Sequence, residues 1–194
     1  IGKIIRRSKS HWPRQNGHLM LINQQLRVRQ LLTADKSQAL LDYESVWQGM
    51  KIFTQTRDEA TVDQCWLLEH PEILTLGRAA SGEHLLDTGS IPVLRIDRGG
   101  QVTFHGPGQI MMYTLIDLKR RKLTVRGMVD ALEASVIQLL SHYDLPAYSD
   151  KRAPGVYIDG CKIAALGLRI SRGRSYHGLC FNYDFDSTPF ERIN

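Results

Sequence analysis

The stretch GVYIDGCKIAALGLRISRGRSYHGLCFNY, residues 155–183, contains three runs rich in β-branched, aromatic and other apolar residues. Runs of this kind are typical of β-strands. Asp159 and Gly160 separate the first two runs, and both residue types tolerate the positive φ angles of a two-residue hairpin turn. The stretch therefore predicts neighbouring antiparallel strands.

Three further β-prone runs precede it, at residues 64–70, 91–96 and 109–118. Two segments instead show the i, i+3, i+4 spacing of an amphipathic helix: residues 35–55, and the segment that follows Thr124, a predicted N-cap. Their apolar stripes are Ala39, Leu40, Tyr43, Val46, Trp47, Met50 and Phe53 in the first, and Val125, Met128, Val129, Leu132, Val136, Leu139 and Leu140 in the second. Strands on both sides of a helix predict an α+β fold, with a mixed, largely antiparallel sheet and packed helices.

Length and charge bound the domain organisation. A chain of 194 residues with 42% hydrophobic content predicts one globular domain. The net charge of +5 comes from residues 1–19, which hold five basic residues and no acid, so nothing in the remaining chain predicts a nucleic-acid partner. Core-like patterning begins at Met20. We expect residues 1–19 to be a non-native or upstream basic tail, with a transit peptide as the alternative, and residues 20–194 to form the domain.

Cysteine usage and hydropathy indicate the compartment. Cys65, Cys161 and Cys180 match neither a disulfide framework nor a paired zinc motif, which predicts a reducing, intracellular environment. No run of about 18 apolar residues is present, so no membrane span is predicted.

A glycine-rich stretch, RGGQVTFHGPGQ at residues 98–109, resembles no nucleotide-binding loop. It lacks the Gly-Lys-Ser/Thr of a P-loop, Met111 stands where a dinucleotide fingerprint needs glycine, and Pro107 has no N–H to offer a phosphate. A strand at residues 101–104 flanked by glycines lets a ligand lie against the main chain. A strained structural turn is the alternative.

His105 and His177 both precede glycine in β-prone surroundings. Each is either a structural hydrogen-bonding residue or a member of a shared site. No further ligand stands at a spacing that would complete a metal site with them.

Lys162 interrupts an apolar face. Strand alternation places it with Ala164, Leu166, Leu168 and Ile170. Its ammonium is either solvated, because it lies beside the hairpin turn, or desolvated with a lowered pKa, which suits proton transfer or thiolate stabilisation.

Four ordered motifs resemble the octanoyltransferase family of lipoate biosynthesis: DRGGQVTFHGPGQ (97–109), PGVYIDGCKIAALGLRI (154–170), YHGLCFNYDFD (176–186) and PFERIN (189–194). The resemblance runs from about Met20 to Asn194 and implies a fold related to the catalytic domains of lipoate and biotin protein ligases. It implies that octanoyl passes from acyl carrier protein to an enzyme cysteine, as a thioester, and then to the ε-amine of a lysine on a lipoyl domain. It implies neither a cofactor nor a metal.

The resemblance also assigns site residues. Lys162 matches the catalytic lysine, which lowers the pKa of the nucleophilic cysteine. Three segments match the lining of the acyl pocket. These substrate-binding residues are Arg98, Gly99, Gly100, Gln101, Val102, Thr103, Phe104, His105, Ala165, Leu166, Gly167, Gly178, Leu179 and Cys180.

The family's nucleophilic cysteine lies in a Pro-Cys-Gly directly after the residues that match 192–194. We therefore expect residues 1–194 to be truncated before this cysteine and inactive. Strand alternation turns Cys180 away from His177, so a small buried apolar residue is its expected role, and Cys161 and Cys65 have no claim. Two alternatives remain: an ATP-dependent lipoate or biotin ligase, and a catalytically incomplete carrier-binding module.

The resemblance implies partners as well. Octanoyl-acyl carrier protein is the implied donor, and lipoyl domains of 2-oxoacid dehydrogenases and the glycine cleavage H protein are the acceptors, in the cytoplasm and without nucleic acid or membrane. Because the carrier is acidic, basic side chains are candidates for its docking site, with a solvated charge run as the alternative. They are Arg78, Lys119, Arg120, Arg121 and Lys122.

Overall fold

The computed structural model describes residues 20–22, 26–31 and 40–193, so the predicted tail at 1–19 lies outside the described residues. The helices are α1 (Tyr43–Thr56) and α2 (Val125–Ser141), and short 3₁₀ turns occur at Gly82–His84 and Thr188–Arg192. The strands are β1 (Met20–Ile22), β2 (Leu26–Gln30), β3 (Asp63–Leu68), β4 (Ile73–Leu76), β5 (Val93–Arg95), β6 (Val102–His105), β7 (Gln109–Leu115), β8 (Tyr148–Ser149), β9 (Gly155–Ile158), β10 (Cys161–Ser171) and β11 (Arg174–Asn182).

The strands form two sheets. The large sheet has eight strands in the order β1-β2-β3-β7-β11-β10-β9-β8, and the small sheet has three in the order β5-β4-β6. Within the described residues, β2–β3 and β4–β5 are the parallel pairs, and all other paired strands run antiparallel. The prediction of an α+β fold with a mixed, largely antiparallel sheet is confirmed.

The predicted hairpin joins β9 to β10. Ile158 pairs with Cys161, and the two turn residues between them, Asp159 and Gly160, have φ angles of 50° and 77°. Both angles lie in the left-handed region that this turn type requires. The local prediction is confirmed because it depends on neighbouring residues alone.

Both helices begin at capped positions. Thr124 accepts a hydrogen bond from Gly127 N at 2.9 Å, as predicted for an N-cap. Asp42 caps α1 by accepting from Ser45 N at 2.8 Å. The helix predicted for residues 35–55 therefore begins at Tyr43, and the part of that prediction covering residues 35–39 lies outside the described residues.

The two helices cover opposite faces of the large sheet. One core cluster lies under α2 and joins Met128, Leu132 and Val136 to Val156 and Ile163 of the sheet. A second cluster lies under α1, where Met50 packs with Tyr113, Tyr176 and Cys180. In the described part of the chain, no helix is long and apolar enough to cross a membrane.

The sequence did not predict β4 or β8, which have four and two residues. The strand β4 pairs with both β5 and β6. It therefore holds the small sheet together and carries the glycine-rich stretch beside the large sheet.

Candidate active site

The glycine-rich stretch connects the two sheets. Gly99 N donates to Leu168 O of β10 at 3.0 Å, and Gly100 O accepts from Ala79 N at 3.1 Å. A Cβ at Gly108, whose φ is 83°, would lie 2.0 Å from Asp184 O. At Gly108 the close approach that glycine permits is therefore to the protein's own main chain, which favours the structural interpretation of that turn.

The three segments assigned to the acyl pocket do meet in space. Ala165 pairs with Cys180 and Gly167 with Gly178 across β10 and β11. A Cβ at Gly167 would lie 3.1 Å from Arg98 Cδ and 3.2 Å from Gly99 O. The glycine-rich stretch thus closes over the face of the large sheet that carries Ala165, Gly167 and Cys180.

Arg98 is a buried cation. It donates to Thr75 O at 2.8 Å, to Thr75 Oγ1 at 2.9 Å and to Gly99 O at 2.9 Å. Burial lowers the pKa of Arg98. Across the described residues, the partners of its guanidinium are neutral oxygens, so the site carries an uncompensated positive charge beside the pocket face.

His105 presents a buried donor. Arg98 donates twice to Thr75 Oγ1, which leaves the Thr75 hydroxyl to donate to His105 Nε2 at 3.1 Å. Burial, followed by the charge of Arg98, lowers the pKa of His105 well below its ordinary value, so the ring is neutral. The proton therefore lies on Nδ1, which is buried and has no partner among the described residues.

His177 departs from strand geometry. Its φ of 59° is left-handed, and its ring stacks on the neighbouring Tyr176 at 5.1 Å. Both side chains reach Asp97, because the Tyr176 hydroxyl donates to its carboxylate and His177 Nε2 lies 3.1 Å from Oδ1. His177 thus lies on the same face as Cys180 and Tyr113, and the expectation that 177 and 180 point apart is wrong.

Asp97 gathers three donors, since Trp47 Nε1 also donates to it at 2.9 Å. Burial alone would raise the pKa of Asp97, but the hydrogen bonds from His177, Tyr176 and Trp47 outweigh it and hold the pKa well below its usual range. Burial lowers the pKa of His177 although Asp97 opposes it. The pair is therefore a carboxylate with a neutral imidazole, and it ties α1 to the residue before Arg98.

A second buried network escaped the sequence analysis. His70 Nδ1 lies 2.5 Å from Leu41 O, and its Nε2 lies 2.8 Å from the Tyr113 hydroxyl. Tyr43 packs on both His70 and His105, with ring centroids 4.6 and 5.2 Å away. Only Tyr43 had given a signal, as a member of the α1 stripe. The three histidines 70, 105 and 177 form no metal-binding group in the described part of the chain.

Lys162 lies on the pocket face because the strand is irregular. The register between β9 and β10 shifts between Lys162 and Ala164, so Ile163 and Ala164 both join the core under α2. Lys162 instead pairs with Tyr157 and is exposed, with Nζ 3.3 Å from Pro154 O. The predicted alternation with Ala164 is therefore wrong, and of the two environments considered, the solvated one is observed.

Lys162 is fixed by a chain of buried amides that the sequence did not predict. Gly106 N donates to Gln109 Oε1 at 3.0 Å, and Gln109 Nε2 donates to Asn182 Oδ1 at 2.9 Å. Asn182 Nδ2 then donates to Lys162 O at 3.4 Å. Main-chain groups of fixed polarity at both ends determine the orientation of both amides, and the glycine-rich stretch is thereby coupled to Lys162.

The three cysteines have no disulfide partner. Burial raises the pKa of the Cys180 thiol far above neutrality and that of Cys65 to about 11. Neither residue supplies a thiolate at neutral pH. Cys161 is exposed at the end of the hairpin, and its neighbour Lys162 reaches Pro154 O instead.

The basic candidates for carrier docking lie at two places. Arg78 N donates to Arg98 O at 3.0 Å, so Arg78 stands beside the glycine-rich stretch. Residues 119–122 follow Leu118, which donates to Gly173 O at 2.9 Å just beyond the far end of β10. Nine residues of β10 separate that end from Lys162, a distance of about 30 Å.

Comparisons with known proteins agree with this geometry. Residues 42–194 match the family described as the lipoyl protein ligase A/B catalytic domain. Among curated relatives, the octanoyltransferase of Shewanella baltica strain OS155 is 53% identical over 79% of this chain and 70% of its own length. That of Shewanella sp. strain W3-18-1 is 54% identical over the same shares.

Solved structures show the same fold at lower identity. A bi-partite lipoate protein ligase from Thermoplasma acidophilum superposes with a TM-score of 0.66 at 14% identity, over 87% of this chain and 65% of that chain. Lipoate-protein ligase A bound with ATP gives 0.60 at 13% identity, over 74% and 67%. The fold and site thus define a catalytic domain of the lipoate ligase type.

The chain belongs to the lipoyl protein ligase A/B catalytic domain family and, within it, to the octanoyltransferases. It is a transferase. The resemblance of its four motifs to this family is confirmed, whereas the ATP-dependent ligases share its fold at 11–14% identity.

Proposed function

We propose that this enzyme moves octanoyl from acyl carrier protein to lysines of lipoyl domains through a cysteine thioester. The observation that carries the proposal is the convergence of the three acyl-lining segments on the face that also presents Lys162. The acceptors are lipoyl domains of 2-oxoacid dehydrogenases and the glycine cleavage H protein. Three unpaired cysteines fit a cytoplasmic location.

The acyl chain lies along the face of β10 and β11. Ala165, Gly167 and Gly178 have small or no side chains, so they leave space above the sheet, and the glycine-rich stretch covers it. The side chain of Arg98 against Gly167 closes the groove, which gives the chain a blind end. His105 Nδ1 and Arg98 are donors that fit a polar atom of the substrate rather than its tail.

Lys162 acts on the sulfur. An exposed ammonium at the open end of the groove favours the thiolate of an adjacent cysteine, and the thiolate is the attacking species. The thiolate attacks the thioester carbonyl of the carrier, and the carrier thiol leaves. The acceptor amine then attacks the enzyme thioester, the C–N bond forms, and the cysteine sulfur leaves and regains a proton.

The carrier docks near Lys162 in this proposal. Residues 119–122 are about 30 Å away along β10 and are poorly placed for a carrier that must deliver its thioester to Lys162. Arg78 remains a candidate because it flanks the glycine-rich stretch.

The experiment measures octanoyl transfer by the full-length gene product. Lys162→Ala should lower the rate by about 100-fold or more without unfolding the protein, because the thiolate loses its counter-charge. The matched control is Lys119→Ala, which removes an exposed lysine from the distant end and should leave the rate unchanged. Unchanged turnover of Lys162→Ala at neutral pH would contradict the role.

The nucleophile is tested by intact mass spectrometry. Residues 1–194 should form no hydroxylamine-labile octanoyl adduct with octanoyl-acyl carrier protein, since Cys65 and Cys180 are protonated at neutral pH. The full-length gene product should form it. An adduct on Cys65, Cys161 or Cys180 would show that the nucleophile is misassigned.

A further inference from the structure

Three side chains form a row across the outer edge of the large sheet. Tyr148 of β8 pairs with Tyr157 of β9, and Tyr157 pairs with Lys162 of β10. We call this row the edge ladder. It lies at the end of the sheet that carries Lys162, and β8 is the last strand of that sheet.

The inner part of the edge ladder is fixed. The Tyr157 hydroxyl donates to Ala153 O at 2.6 Å, which holds its ring. Tyr148 stacks on that ring with centroids 5.7 Å apart and an interplanar angle of 23°. Lys162 Nζ lies 5.4 Å from the centroid of the same ring, so an ammonium already rests against the edge ladder.

The outer part of the edge ladder is open. Tyr148 is 48% exposed, and within residues 40–193 its ring contacts only Tyr157. The strand that carries it has two residues, and only β9 pairs with it among the described strands. One face of the Tyr148 ring is therefore available to a partner, two strand spacings or about 10 Å from Lys162.

We propose that the edge ladder receives the acceptor lysine of a lipoyl domain, with Tyr148 as its first contact. This rests on the proposed function, which brings a lysine ammonium to Lys162. An aromatic face attracts an ammonium and also packs against the methylene stem behind it. An acyl chain has no cation to place there, so the chemistry of the open ring fits the acceptor rather than the acyl group of the donor.

The test is a double-mutant cycle on binding, which needs no turnover. The partners are this chain and an unmodified lipoyl domain, or the same domain with its acceptor lysine replaced by methionine, and calorimetry gives the Kd. Tyr148→Leu, or the methionine domain, should each weaken binding about two- to fivefold. The two changes together should weaken it no further than either alone, because they remove one contact.

Two variants serve as controls. Tyr148→Phe keeps the ring and should bind as the wild type does, whereas Tyr143→Leu removes a tyrosine of similar exposure that lies outside the edge ladder. Tyr143→Leu should also leave the Kd unchanged. Multiplicative effects of the two changes, or an equal loss with Tyr143→Leu, would overturn the proposal.

The outcome separates this inference from the proposed function. If wild type binds both domains equally while the full-length gene product still transfers octanoyl, the edge ladder fails and the proposed function stands. If no octanoyl reaches the lipoyl domain at all, the proposed function fails. If sedimentation shows a dimer that Tyr148→Leu converts to monomer, a second copy covers the ring and the edge ladder is wrong.

Discussion

Gly178 leaves no space for a side chain between β11 and β7. A Cβ there would lie 1.9 Å from Met112 O and 3.0 Å from Met112 C, which are main-chain atoms of the neighbouring strand. Gly178→Ala should therefore destabilise the protein by about 2 kcal/mol or more, because the strands must separate locally. Urea unfolding followed by circular dichroism measures the loss.

The control for this substitution is Gly82→Ala, since no atom lies within 4 Å of a Cβ at that position. It should change the free energy of unfolding by no more than about 0.5 kcal/mol. Equal losses at the two positions would mean that Gly178 is not constrained by Met112.

At the scale of elements, the amides of Gln109 and Asn182 couple the first residue of β7 to the last residue of β11 and to β10. Asn182→Leu removes one amide and leaves Gln109 Nε2 and Lys162 O without their partner. We expect a loss of about 1–3 kcal/mol in the free energy of unfolding, since both groups are cut off from water. Thermal and urea unfolding of this chain measure it.

The matched comparison is the double variant with Gln109→Met. Its loss should be smaller than the sum of the two single losses, because no unpaired side-chain amide remains. Strict additivity would indicate that the two amides act independently.

Local patterns predicted the elements better than the contacts between them. The turn at residues 159–160 and the cap at Thr124 depend on neighbouring residues, so the sequence contains the whole signal. The register shift after Lys162 and the left-handed His177 depend on partners in other strands and around Asp97. Strict alternation therefore assigned both side chains to the wrong face.

The candidate site shows the same division. The motifs found the segments that meet at Ala165, Gly167 and Gly178, because their resemblance to a family covers long-range pairing indirectly. The network around His70 and the chain from Gly106 to Lys162 consist of single polar residues far apart in sequence. No periodicity marks such residues until the fold brings them together.

For the molecule as a whole, Asp63 is the main acid-sensitive position. Its buried carboxylate accepts from Arg57 at 2.6 Å, from Arg120 at 2.6 Å, from Arg121 at 2.7 Å and from Asp117 N at 2.9 Å. Burial alone would raise the pKa of Asp63, but these hydrogen bonds and charges outweigh it and lower the pKa. The carboxylate joins the end of α1, β3 and the loop after β7.

A lowered folded-state pKa fixes the sign of the pH dependence. The contribution of Asp63 is fully present above its unfolded pKa of about 3.9 and is lost as the pH falls through the folded value. Asp63→Asn should cost about 3–5 kcal/mol at pH 7, because Arg57 stays buried without a counter-ion, and should flatten the loss of stability below about pH 4. Thermal unfolding between pH 7 and pH 2.5 measures both effects.

The exposed pair of Arg126 and Asp130 provides the comparison. Asp130→Asn removes a carboxylate that is 56% exposed and should change stability by less than about 1 kcal/mol. A similar cost for both substitutions would contradict the special position of Asp63.

The indole of Trp47 gives the protein an optical reporter. Its N–H is bonded to Asp97, the residue directly before Arg98, so any ligand that displaces the glycine-rich stretch alters the polarity around the indole. Trp66 lies on β3 and bonds to Gln64 instead, so it supplies a fluorescence background that does not follow this movement. Entry of an acyl chain can therefore be followed by emission in real time, without a label on the substrate.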